Sequence, residues 1–255
     1  MTKFDLHIHS CYSQNLYGTR LWSPPSKSMP EDIIETAINK GIDVIAVTDH
    51  DNIIGSLKTI ALSQSPKYKD KILVIPGVEV SSKEGHILAY NIYENIPQNL
   101  SAKETIDIIN QKGGIAVAAH PFNVKYSLKQ ASVESNLDGL FALEMANCHS
   151  LKNDFTKKYI KKNKLRYTIG SDAHTLGEIG LIYGTTREEI NSIDDLITIL
   201  DSGKIEQSHY HTQVIWNILT KTVPGAIGSF FYWKFKQLHS LFRPKIFLPY
   251  KDRIE

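Results

Sequence analysis

The chain has 255 residues, 42% of them hydrophobic and 22% charged, which is typical of a globular protein with one large domain. Its 29 basic and 27 acidic residues nearly balance, so total charge gives no reason to expect a nucleic-acid partner. No uncharged apolar stretch is long enough to span a bilayer, and no apolar signal segment is visible at the start. Because Cys11 and Cys148 also lack metal-type spacing, we expect a cytoplasmic protein with free thiols.

Short apolar runs alternate with helical patterns from the first residues onward. The stretch FDLHIHS predicts a strand on which His7 and His9 point to the same face, since alternate strand residues share a face. A helix is predicted from about Pro30 to Lys40, and GIDVIAVTDH (41–50) then predicts a buried strand. KILVIPGVEVSS predicts a further strand that is broken at Pro76-Gly77, and GHILAYNI predicts another.

The same alternation continues through the middle of the chain. A helix is predicted from about Ser101 to Lys112, because Gly113-Gly114 is a strong helix stop. The strands IAVAAHPF, GLFALEMAN and LRYTIGSDAH follow, the last two separated by a lysine-rich helix around 151–162. Alternation of this kind predicts an α/β fold of parallel strands joined by crossover helices.

Polar residues concentrate at the carboxyl ends of these predicted strands. They are His9, Asp49, His50, Glu79, His120, Glu144, Asp172 and His174. His86 differs, because it begins its strand. In a parallel α/β barrel the carboxyl ends of the strands form the rim on which side chains converge around a ligand. The sequence therefore predicts one site that contains several imidazoles and carboxylates.

Imidazole and carboxylate together are the usual ligands of Zn²⁺, Mn²⁺ or Fe²⁺. A set this large exceeds the needs of one ion, and a carboxylate such as Glu79 could bridge two. We therefore expect two or three divalent ions. Ions about 3.5–4 Å apart suit the hydrolysis of phosphate esters, since one activates water while the others hold phosphate oxygens.

Seven motifs occur in an order that resembles the polymerase-and-histidinol-phosphatase (PHP) superfamily. They are DLHIHS, TDHD, PGVEVS, GHILAY, AHPF, LEMAN and GSDAH, and the resemblance covers about residues 3–205. It implies a distorted (β/α)₇ TIM-like barrel with its metal centre at the carboxyl rim of the strands. It also implies a metal-dependent phosphoesterase.

The resemblance implies a role for each matching residue. One metal would be held by His7, His9, Glu79 and Asp172. A second would share Glu79 and take His86 and His120, and a third would take His50 and His174. Asp5, Asp49 and Glu144 would orient these ligands, and a metal-bound hydroxide would be the nucleophile.

The sequence departs from the family pattern just after its first motif. Relatives with three metals usually carry an acid there, where this chain has Gln14 and Asn15. Either amide could ligate, another group could replace the acid, or the centre could hold two metals. Arg20, in the same loop, is expected to reach over the rim towards a substrate phosphate.

Residues 206–255 are predicted to form an extension separate from the 1–205 barrel. From Gln207 to Tyr250 there is no acidic residue, and the stretch contains the aromatic run FFYWKF. Phe231, Phe235, Leu238 and Phe242 fall on one face of a helix. This extension could pack on the barrel or on a second subunit, or it could bind an anionic membrane surface peripherally.

The expected substrate is a small phosphomonoester or a nucleotide. The short spacing between His120 and Asp172 leaves no room for the capping domain that some relatives insert there. A nuclease of the same superfamily is one alternative, disfavoured by the near-neutral charge. The other is a non-catalytic, metal-binding regulatory protein that acts through its tail.

Overall fold

The computed structural model describes residues 1–13 and 26–207, which contain nine strands and six helices. The strands are β1 (Thr2–Ile8), β2 (Val44–Val47), β3 (Leu73–Ser81), β4 (His86–Tyr90), β5 (Ile115–Ala118), β6 (Ala142–Ala146), β7 (Tyr167–Ile169), β8 (Gly184–Thr186) and β9 (Glu206–Gln207). The helices are α1 (Pro30–Asn39), α2 (Ile54–Ser63), α3 (Ala102–Gln111), α4 (Gln130–Glu134), α5 (Asn153–Asn163) and α6 (Ile193–Ser202). The predicted tail lies outside the described residues beyond β9.

The strands form one sheet in the order β7-β6-β5-β4-β3-β2-β1-β8-β9. Strands β1, β2, β3, β5, β6 and β7 run in one direction, whereas β4 is antiparallel to both of its neighbours. The prediction of parallel pairing was therefore wrong for β4. The reason is local: the four residues between Ser81 and His86 can form a hairpin turn, but they are too few for a crossover helix.

The sheet curls until its first and seventh strands nearly meet. Ile8 pairs in parallel with Ala173, just after β7, and the His9 amide donates to the Ala173 carbonyl at 2.8 Å. Gly170 allows this approach, because a Cβ there would lie 2.4 Å from the Cβ of His7. The predicted α/β, barrel-shaped fold is confirmed.

Strand β3 is continuous through Pro76-Gly77, where the sequence predicted a break. Leu73–Pro76 pairs with β2, and Gly77–Ser81 pairs with β4 on the other side. The Gly77 amide donates instead to the Ser56 hydroxyl of α2 at 3.1 Å. The strand thus changes partners at the dipeptide without ending there.

Local signals mark the starts of two of the helices. Pro30 opens α1, and Ser101 caps α3 by accepting a hydrogen bond from the Glu104 amide.

Strand β2 is buried on both faces: Val44 and Ala46 belong to one apolar cluster, and Ile45 and Val47 pack in a second cluster with α1. Among the described helices, none combines the length and apolar character needed to cross a membrane.

Candidate metal centre

All eight predicted ligand residues converge at one rim of the barrel. His7 and His9 come from the end of β1, Glu79 from β3, and Asp172 from the segment after β7. His86 begins its strand but reaches the same rim, because β4 runs antiparallel to its neighbours. His50, His120 and His174 follow β2, β5 and β7. The strand ends therefore bring together residues far apart in sequence.

Glu79 lies at the centre of this group, and its side chain is fully buried. Its Oε1 atom lies 2.9 Å from His86 Nδ1 and 3.0 Å from His120 Nε2. Its Oε2 atom lies 3.3 Å from His7 Nε2, 3.2 Å from His9 Nε2 and 3.1 Å from His50 Nδ1. One carboxylate thus faces five imidazoles.

Three groups of ligand atoms are compact enough to hold a metal ion in the described part of the chain. The groups are His7, His9, Glu79 and Asp172; His50, Glu79 and His86; and His9, His50 and His174. The first equals the set that the resemblance implies for one metal. The second group places His50 with Glu79 and His86, where the resemblance implies His120, and the third places His50 and His174 with His9. His120 is in none of the three groups, although its Nε2 atom lies 3.0 Å from Glu79 Oε1.

The donor set fits divalent cations better than it fits hydrogen bonding alone. His7 Nε2 and His9 Nε2 lie 3.2 Å apart, and both face the same oxygen of Glu79. His50 Nδ1 is buried near that oxygen without a hydrogen-bond partner. Several imidazole nitrogens that converge on a buried carboxylate match the ligand chemistry of Zn²⁺, Mn²⁺ or Fe²⁺.

Four of the imidazoles are fixed through their Nδ1 atoms. His7 Nδ1 lies 2.8 Å from Glu144 Oε1, and His120 Nδ1 lies 3.0 Å from Ser127 Oγ. His9 Nδ1 lies 3.2 Å from Ser13 Oγ, and His174 Nδ1 lies 3.0 Å from the carbonyl oxygen of Asp172. A hydrogen bond at Nδ1 fixes the ring and leaves Nε2 to coordinate a metal.

Burial and neighbouring charges shift the pKa values in opposite directions across the site. Burial disfavours every charged form, but the surrounding histidines hold the pKa of Glu79 well below its usual range. Burial also opposes charge on His9, but hydrogen bonds to Asp172 and Glu79 raise its pKa to about 9. Burial and the charge of His9 lower the pKa of His174 to about 4. Neutral His174 therefore keeps the lone pair of its unprotonated ring nitrogen for a cation.

The three acids predicted to orient ligands hydrogen-bond different parts of the site. Glu144 contacts two predicted ligands: besides His7, it accepts a hydrogen bond from the His120 amide at 2.7 Å. Asp49 accepts hydrogen bonds from the amide and hydroxyl of Ser10, both at 2.5 Å, and so fixes the segment just after His9. Asp5 accepts hydrogen bonds from the amides of Ser171 at 2.7 Å and Gly180 at 2.9 Å.

Two further residues belong to the site. Asn147 donates to Glu144 Oε2 at 3.1 Å and to Asp172 Oδ2 at 3.3 Å, so it links two acids of the rim. Its only sequence signal is its place at the end of LEMAN. His149 is partly buried, and its ring lies edge-on to that of His174 with the centroids 5.7 Å apart.

The backbone bends sharply at two predicted ligands. His120 and Asp172 have positive φ angles of 30° and 55°. Such angles are costly for residues with side chains, and strained backbone of this kind concentrates at functional sites. Gln14, Asn15 and Arg20 lie outside the described residues, so the predictions made for them stay predictions.

Lys40 supports the turn that follows His174. Its Nζ atom donates to the carbonyl oxygens of Leu176, Gly177 and Ile179, at 3.3, 3.0 and 2.7 Å. We expect Lys40→Met to lower the free energy of unfolding by about 1 kcal/mol, because the carbonyls lose a charged donor. Urea denaturation measures this change. Lys161→Met, at an exposed position on α5, is the matched control, and equal losses in both variants would contradict the role of Lys40.

The sequence matches one described family and is similar to two other proteins. Residues 150–205 match the family described as PHP-associated. An uncharacterized protein of Methanocaldococcus jannaschii is 37% identical over 139 residues, which are 54% of this chain and 79% of that protein. A 5′-3′ exoribonuclease of Haemophilus influenzae is 26% identical over 145 residues, 55% of this chain and 45% of the enzyme. The match thus spans less than half of the exoribonuclease.

Solved structures share the fold at low sequence identity. A two-domain protein of Bacteroides vulgatus that contains a predicted PHP-like metal-dependent phosphoesterase superposes with a TM-score of 0.65 and 16% identity. The superposition covers 86% of this chain and 69% of that one. This likeness establishes the barrel architecture independently of sequence.

Proposed function

The chain belongs to the PHP superfamily, and from that membership we propose that it is a metal-dependent phosphatase acting on a small phosphomonoester or a nucleotide. One observation carries the proposal: buried Glu79 is surrounded by five imidazoles, with Asp172 beside two of them. Such a donor set suits two or three Zn, Mn or Fe ions. When bound, these ions would supply Lewis-acid activation of water and neutralise phosphate charge.

We propose that His7, His9, His50, Glu79, His86, His120, Asp172 and His174 hold the ions. The orienting residues would act through them. Glu144 fixes the ring of His7 and the backbone of His120, and Asn147 fixes Glu144 relative to Asp172. Asp49 would hold the segment that follows His9. Preorganised ligands of this kind lower the reorganisation needed during reaction.

The two cysteines are poorly suited to act as nucleophiles. Burial raises the pKa of the Cys148 thiol well above its usual value, and nearby carboxylates raise it further. Burial and Asp49 also raise the pKa of Cys11. A thiol with a raised pKa is a poor nucleophile, because the thiolate is the reactive form.

Removal of metal tests the proposed hydrolysis. We expect the purified full chain to contain Zn, Mn or Fe by elemental analysis and to hydrolyse p-nitrophenyl phosphate with added Mn²⁺. Dialysis against a chelator is expected to abolish turnover, and Mn²⁺ is expected to restore it. The reason is that a bound divalent ion supplies the positive charge that activates water. Protein that purifies without metal and hydrolyses no phosphate ester even with added Mn²⁺ would overturn the phosphatase proposal.

A nuclease of the same superfamily is the second candidate, favoured by the 26% identity to the exoribonuclease. The near-neutral charge of the chain argues against it, because a groove that follows a polyanion is normally basic. The same preparation decides between them. Faster release of nucleotides from a 5′-phosphorylated oligoribonucleotide than of phosphate from monoesters would favour the nuclease.

A further inference from the structure

A cavity of about 220 Å³ lies beside the metal centre, between the β3–β4 turn and the segment that follows β5. Residues that line it include Ser82, Lys83, His86, Gln98, Asn99 and Tyr126. One of these, His86, is a proposed metal ligand. The cavity is therefore directly next to the position where a phosphate ester would react.

Tyr126 is held at this cavity by its backbone. The His86 amide donates to the Tyr126 carbonyl at 2.9 Å, and the next residue, Ser127, hydrogen-bonds His120 Nδ1 at 3.0 Å. Tyr126 itself has a φ of 56°. A Cβ on Gly85 would lie 2.3 Å from the Ser127 carbonyl carbon, so glycine is required for this packing. The Tyr126 segment is thus attached to two proposed ligands.

The ring of Tyr126 lies parallel to that of His86. The interplanar angle is 11° and the ring centroids are 5.5 Å apart. The residue is nevertheless 48% exposed, an unusual fraction for a large aromatic residue held so firmly. A fixed, accessible aromatic ring beside a reaction centre is a surface on which another flat ring can stack.

The other lining residues define the chemistry of a ligand that enters the cavity. Gln98 and Asn99 offer amide donors and acceptors, and Lys83 offers an ammonium group. The volume is below the roughly 300–1,000 Å³ of sites for drug-sized ligands, so it suits one flat ring system, single or fused, with its substituents. A small aliphatic alcohol such as glycerol could hydrogen-bond the amides, but it would have no flat ring to stack on the aromatic surface.

We infer that this cavity binds the alcohol half of the phosphate ester, and that Tyr126 stacks against a flat heteroaromatic ring in that group. The inference rests on the proposed phosphatase function, because the metal centre would hold the phosphate. Tyr126 is then a residue that determines specificity. The side-chain amides of Gln98 and Asn99 hydrogen-bond with the polar edge of the ring.

Paired substrates test the inference. Adenosine 5′-monophosphate carries a heteroaromatic ring, whereas glycerol 3-phosphate carries none. Tyr126→Ala is expected to lower kcat/KM for the first relative to the second by roughly 5- to 150-fold, the range for loss of one stacking contact. Tyr126→Phe keeps the ring and should preserve the ratio. Tyr93→Ala removes an exposed tyrosine just past the opposite end of β4 and should also preserve the ratio.

Calorimetry with adenosine separates this inference from the proposed function, since adenosine has no phosphate for the metals. We expect the wild-type chain and Tyr126→Phe to bind adenosine, and Tyr126→Ala to bind it at least 5-fold more weakly. Hydrolysis of both phosphates with an unchanged ratio in Tyr126→Ala would overturn the inference and leave the phosphatase intact. Adenosine binding that depends on Tyr126, without hydrolysis of any phosphate, would support the cavity and overturn the phosphatase.

Discussion

Glu79→Gln is expected to remove at least one metal ion per chain and to lower phosphatase activity by roughly 100-fold or more, beyond the usual effect of residues that merely orient ligands. The amide has nearly the shape of the carboxylate, so the change is chiefly one of charge. Both oxygens of Glu79 face imidazoles at 2.9–3.3 Å, and a neutral amide would hold a divalent cation there more weakly than the carboxylate. Elemental analysis and the p-nitrophenyl phosphate assay measure the two effects.

Glu94→Gln is the matched control for this substitution. Glu94 is exposed and pairs with Lys112 at 2.6 Å, away from the rim. We expect this variant to keep its metal content and its activity. If Glu79→Gln also kept both, the proposed metal centre around Glu79 would be wrong, whatever the chain hydrolyses.

Gly170→Ala is expected to destabilise the barrel by about 3 kcal/mol, at the upper end of the usual cost of overpacking. The new Cβ would lie 2.4 Å from the Cβ of His7 and 2.6 Å from its amide nitrogen. Since backbone cannot yield as a flexible side chain does, β1 must move away from the end of β7. That movement would also separate His7 from Asp172, so activity should fall along with stability.

Gly177→Ala provides the comparison for Gly170→Ala. A Cβ at Gly177 would meet only Thr175 Oγ1, at 3.9 Å, which is ordinary van der Waals contact. Its free energy of unfolding, measured in urea, should change by no more than about 0.5 kcal/mol. Equal stability of the two variants would show that the barrel does not close at Gly170 as described.

Local signals in the sequence placed most of the elements that carry the site. The helix predicted from Ser101 to Lys112 is α3, because its capping serine and the glycines after it act within a few residues. The break predicted at Pro76-Gly77 was wrong, since a strand can continue through proline where its partner changes. The direction of β4 could have been predicted from the short turn before His86.

The sequence by itself determined the fold class and the chemistry available at the rim: apolar runs end in histidines and acids, and these residue types suit divalent metals. Only the tertiary structure decided that Glu79 lies among five imidazoles, that Asn147 joins Glu144 to Asp172, and that Tyr126 stacks on His86. The physical reason is one of distance along the chain. Periodicity and capping act over a few residues, whereas contacts such as that between His7 and Asp172 depend on strand pairing and on how far the sheet curls.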